Sequence, residues 1–227
     1  MKKFKYTKNI ILLTGLIFAI TACSKNESPY YDYVNTVQSY DGSAMAYLKS
    51  QPKGTFDSLL LVLDRYPDLV DSLENNKLTL FAPVNENFES AIKYLNQKRF
   101  AQGKEPLYLN DVDAKQLEML LCKYIIRGNR TSVAYENERD GLLLNTIVYD
   151  YPMHVKYERM SSSGYVSGGA SSLNFSNPFG SVFTKDWITT KATTVNINTN
   201  NATINILTTI HNFGFDEFTL KLNDYEL

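Results

Sequence analysis

Two cysteines and two histidines in 227 residues are too few for a disulfide framework or a structural zinc site. No charge of one sign dominates: 23 Lys and Arg stand against 24 Asp and Glu, a net of −1. That balance excludes a general nucleic-acid surface, which needs a clear basic excess. No internal repeat is visible. A Gly-x-Ser-x-Gly elbow is absent, and Ser163-Gly164 and Gly168-Gly169 fit neither a phosphate loop nor a dinucleotide fingerprint. His154 and His211 have no Cys or second His at metal-ligand spacing. Asp140 and Asp150 border strand-like stretches and read as turn residues. No catalytic residue, cofactor site or metal site is therefore assigned. What is present is ordinary globular material, 44% hydrophobic and 21% charged, enough for one core. Its 16 Tyr and 12 Phe suit a strand-rich exported chain.

The longest apolar run, Ile10 to Ile20, has 11 residues and is interrupted by Thr14 and Gly15. It is too short to span a bilayer comfortably and has the length of a signal-peptide core, behind Lys2, Lys3, Lys5 and Lys8. It ends in Ile20-Thr21-Ala22-Cys23, which resembles a bacterial lipobox. The resemblance implies cleavage of residues 1–22 and acylation of Cys23 by chains such as palmitate. Several acyl chains give stable anchoring, since each buried CH₂ contributes about 0.8 kcal/mol. The four lysines lost with the leader leave 19 positive against 24 negative residues. Ser24-Lys25-Asn26-Glu27 is similar to, though shorter in acids than, the surface-export signals of Bacteroidetes lipoproteins. Cell-surface display on the outer membrane is expected, with a periplasm-facing position as the alternative. Cys122 lies in an apolar stretch and reads as a small core residue.

Residues 23–43 read as a polar, Tyr-rich tether. Asp41 or Ser43 caps a predicted helix from Ala44 to Ser50 that Gln51-Pro52 ends. Phe56, Leu59, Leu60 and Leu63 form one apolar helical stripe, and Pro67 starts a further helical turn. Leu78 to Phe81 is a strand halted at Ala82-Pro83, and Asn85 is placed as the N-cap of the helix carrying Phe88, Ala91, Ile92 and Leu95. Asp113 with Gln116 forms a capping pattern before a helix that is expected to run through Leu117, Leu120, Leu121, Tyr124 and Ile125 to Gly128. Further strands are expected over Leu142–Tyr149, Met153–Met160, Thr193–Asn198 and Ala202–Ile210, with a Ser- and Gly-rich loop at Ser161–Ala170. Helices first and strands later predict an α+β domain, its helices packed against a small sheet or wedge, over residues 44–227.

Four blocks of this chain resemble a fasciclin-like domain. They are Thr55–Leu60, Leu78–Phe88, Leu120–Gly128 and Asn201–Leu207, in the family's order and approximate spacing. His211–Phe218 and a segment at about 161–191 resemble an ending and an insertion of Bacteroidetes lipoproteins of this type. Where the family usually carries a Tyr-His pair, this chain has Lys123-Tyr124; the second signature's His is Asn205 and its Gly is Ala202. The integrin and matrix ligands of animal relatives are therefore not carried over. The resemblance implies a non-enzymatic adhesion or binding module for a protein or glycan. Two alternatives are an accessory subunit of an outer-membrane nutrient-uptake complex and a carboxylate-based glycan hydrolase. Tyr165, Phe175, Phe179 and Trp187, set among Ser, Gly and Asn, are the candidate contact residues; Phe183 belongs with them. The same aromatics could instead cover the sheet as a satellite core.

Overall fold

The computed structural model describes residues 38–159 and 171–224. The leader, Cys23, most of the tether and Tyr165 lie outside the described residues.

The first helix, α1 (Ala44–Ser50), begins where Ser43 Oγ accepts the Ala46 N–H at 3.1 Å, and it stops as Gln51 turns extended before Pro52. In α2 (Asp57–Leu63) the buried stripe is Leu59, Val62 and Leu63 behind Phe56, with Leu60 only half-buried. Pro67 opens α3 (Pro67–Asn75), as its missing N–H and fixed φ allow. The strand β2 (Leu78–Ala82) is buried at every position, and Pro83 ends it.

The helix that follows, α4 (Asn85–Ala101), corrects the expected cap. Asn85 is its first residue rather than its N-cap. The Asn85 side chain instead accepts the Ser58 N–H at 2.9 Å, and its own N–H donates to Thr55 O at 3.0 Å. Asn85 thus caps α2 across the fold. The N-cap position falls to Val84, and Asn87, at the third helical position, reaches back so that its Oδ1 accepts the Val84 N–H at 2.9 Å. A second correction concerns α5 (Ala114–Cys122), which Asp113 caps through Gln116 N at 2.7 Å. It ends before Tyr124, and Ile125–Arg127 is a strand, β3, antiparallel to β2. Its residues are apolar enough to be buried in either conformation; the open edge of β2 decides for strand.

The remaining strands are β1 (Gln38–Ser39), β4 (Leu142–Asn145), β5 (Pro152–Arg159), β6 (Ser171–Asn177), β7 (Ile188–Asn198) and β8 (Ala202–Leu207), followed by α6 (Glu217–Leu222). The sheet order is β3-β2-β8-β7-β6-β5-β4, with β1 parallel to β7 and β2 parallel to β8. The other pairings are antiparallel. With eight strands the sheet is larger than the wedge expected, and β6 lies inside it. Its ends nearly meet: Ile126 bridges Thr146, and the Ile147 N–H donates to Ile125 O at 3.0 Å. Near-closure of this kind leaves little sheet edge open to other chains. The core of this sheet is aromatic. Phe81 stacks on Phe175 at 4.0 Å, Phe88 on Phe213 at 4.2 Å, and Tyr124 on Phe213 at 5.2 Å and Phe215 at 5.5 Å.

Candidate functional site

Three of the four described candidate aromatics, Phe179, Phe183 and Trp187, lie together, in the connection from Pro178 to Trp187 between β6 and β7. Phe175 is the exception and a correction: it is fully buried against Phe81, in register with Thr190 of β7, so it is a core residue and no contact group. The alternation of side chains along β6 sends Leu173 and Phe175 inward, a periodicity hidden by the polar residues between them.

The connection holds itself together. Phe179 N–H donates to Asn177 Oδ1 at 3.0 Å, and Ser181 N–H to Pro178 O at 2.8 Å. Phe179 takes φ +52° and Gly180 φ +74°, turning the chain tightly. Ser181 Oγ donates to Asp186 at 2.8 Å and accepts the Phe183 N–H at 3.1 Å. Trp187 Nε1–H closes the loop on Ser181 O at 2.8 Å, with its ring 4.7 Å from that of His154. Trp187 is therefore half-buried and acts as the loop's brace. Phe179 is 38% exposed, and at the tip Val182 and Phe183 are 83% and 63% exposed. A backbone bonded in this way is ordered before any partner arrives, so less entropy is lost on contact.

The loop is rooted on a buried ion pair. Lys123 Nζ donates to Glu217 Oε2 and lies 4.5 Å from the centre of the Tyr151 ring and 5.7 Å from that of Phe179. Asn177 Nδ2 donates to the same carboxylate at 3.0 Å, and Tyr151 O–H donates to Asn177 Oδ1 at 2.8 Å. Burial, with a smaller push from Lys221, drives the Lys123 ammonium pKa below its usual value, and contact with the Glu217 carboxylate opposes this. Sequence reading missed this cluster because its members lie far apart in the chain.

The titratable groups elsewhere serve packing. His211 shares a 2.7 Å hydrogen bond with Tyr124 O–H, and burial brings its pKa down to about 3, so its imidazole is neutral. His154 Nε2 bonds Asp140 O at 2.7 Å. Burial pushes the Cys122 thiol up to about 12, as befits a core residue. Among the described residues no three His, Cys, Asp or Glu side chains are grouped as metal ligands, and no helix is long and apolar enough to cross a membrane.

A family model described as the Fasciclin domain matches residues 54–210. Among solved structures, a FAS1 domain pair from the insect cell adhesion molecule fasciclin I is similar at 13% identity with a TM-score of 0.47. The similarity covers 71% of this chain and 46% of that one, so the chain spans under half of that structure. Comparison with curated protein sequences gives no match.

Proposed function

This chain belongs to the fasciclin domain family, and from that premise we propose that it is a non-enzymatic, lipid-anchored module of the cell envelope. Its task is adhesion to, or binding of, a protein or glycan. Acylated Cys23 fixes the chain in the outer membrane, the tether gives reach, and the folded domain presents its loops. Many weak contacts from one membrane then add through effective concentration.

The observation that carries this reading is the internally bonded Pro178–Trp187 loop holding Val182 and Phe183 out in solvent. Exposed apolar groups on an ordered polar frame are efficient contact groups. The test is retention of the purified protein on surfaces coated with matrix proteins, mucins or polysaccharides. The expected result is specific retention that falls about tenfold or more in a Val182→Ser, Phe183→Ser double variant, with thermal unfolding unchanged. Equal retention of the variant would remove the loop from the reading. No retention on any surface, together with turnover of a polysaccharide, would overturn the reading as a whole.

A further inference from the structure

A cavity of about 630 Å³ opens between the first half of β7 and the turn that follows β8. Its origin is a mismatch in strand length. β8 ends at Leu207, opposite Ala192, while β7 extends back to Ile188. After the Thr208 N–H donates to Lys191 O at 2.9 Å, the chain leaves the strand. Buried Asn87 holds the departing turn in place, its Nδ2 donating to Thr208 O and His211 O, both at 2.9 Å.

Two polar atoms of residues lining this cavity are buried without a hydrogen-bond partner among the described residues: Thr190 Oγ1 and Asn212 Oδ1. Thr190 is only 6% exposed, and its register with Phe175 sets it on the opposite face of the sheet from Ser172. Buried polar groups are nearly always paired, so two unpaired ones at one cavity point to a ligand. The charged groups of the wall are already engaged. Lys191 pairs with Glu158 at 2.8 Å, and the Asp216 carboxylate accepts from Asn212 Nδ2 at 2.6 Å. The His211 ring is bonded to Tyr124. Lys191 is thus neutralised, and the Asp216 carboxylate, bonded by a neutral amide, keeps its charge, which disfavours an anion and lets it accept from a hydroxyl. A rotatable hydroxyl donates or accepts as its partner requires, whereas the free Asn212 oxygen only accepts. Six of the lining residues are Ser or Thr, and Ile188 and Ile210 add apolar surface. The volume falls in the range of small-ligand sites.

We propose that this cavity binds a neutral, polyhydroxylated ligand, a mono- or oligosaccharide, through Thr190 and Asn212, with the isoleucines against its C–H face. Sugar hydroxyls donate and accept at one atom, as these walls do; a peptide's amides have fixed roles and bring side chains for which no further pockets are built. The site stands apart from the Val182–Phe183 tip and does not rest on it.

The test is titration of the purified protein with cellobiose, maltose, lactose, mannobiose and diacetylchitobiose, followed by calorimetry and by chemical shifts of the β7 amides. At least one saccharide is expected to bind saturably. Thr190→Val should weaken it about tenfold, because it removes a hydroxyl partner, whereas Ser172→Ala, on the opposite face of the sheet, should leave it unchanged. Neither should lower the unfolding temperature, because those hydroxyls make no bond in the free protein. Phe183→Ser should leave saccharide binding unchanged, which separates this site from the loop. The proposal is overturned if none of the saccharides binds, or if the Thr190→Val variant binds as tightly as the parent.

Discussion

Phe175 is fully buried in a stack with Phe81, while Phe183, from the same Ser- and Phe-bearing stretch, is 63% exposed. The two should respond oppositely to truncation. Phe175→Ala is expected to cost about 3–5 kcal/mol, read as a shift in the denaturation midpoint. Phe183→Ala should leave that midpoint in place and act on binding alone. His211 sets a pH dependence at the same scale. Its folded pKa, about 3, lies below the ordinary 6.5, so the unfolded chain takes up the proton first. The stability that neutral His211 contributes is full above pH 6.5 and is lost as pH falls toward 3. Unfolding temperature should decline through the upper part of this window, before the carboxylates titrate, and His211→Gln should flatten that decline. The Tyr-His pair altered in sequence returns in space as Tyr124 bonded to His211, a pairing no local spacing encodes.

Elements meet at side chains that serve a neighbour rather than themselves. Asn85 belongs to α4 but accepts from the start of α2, so Asn85→Ala should cost about 1 kcal/mol and loosen α2 first, visible in amide exchange. The root of the Pro178–Trp187 loop joins β3's approach, β6 and α6 through Lys123, Asn177 and Glu217. Breaking a buried pair from one side is unequal. Glu217→Gln leaves Lys123, almost wholly buried, without its counter-charge and should cost about 3 kcal/mol. Lys123→Met should cost less, because Glu217 keeps its bond from Asn177 and lies 3.7 Å from Lys221. Urea midpoints of the two variants would show the order, and the reverse order would remove the electrostatic account. At this scale the helix starts at Ser43, Pro67 and Asp113 were legible, since capping is local chemistry. The end of α5 was not, because Ile125 and Ile126 satisfy helix and strand alike until β2 lies beside them.

For the molecule as a whole, the functional proposal couples a lipid peg to a folded display unit. Cys23→Ala should release the protein from membranes into the soluble fraction; a variant that still pellets with membranes would count against acylation as the anchor. The family was legible because its blocks are short and local: a strand ending at Ala82-Pro83, an Asn-led turn into an aliphatic strand, an apolar stretch before Gly128. The candidate site was legible in part. Phe179 and Trp187 fall in the exposed connection, and Phe175 does not, since only strand register separates inward from outward aromatics in a polar stretch. The saccharide cavity left no trace in the sequence, because its unpaired atoms come from β7 and the turn after β8. Composition, capping and periodicity, which act over a few residues, determined the class of fold and most helix starts. Tertiary packing alone decided which aromatics face water, where a helix yields to a strand, and which distant polar groups meet, because burial and pairing depend on neighbours that the chain brings together only when folded.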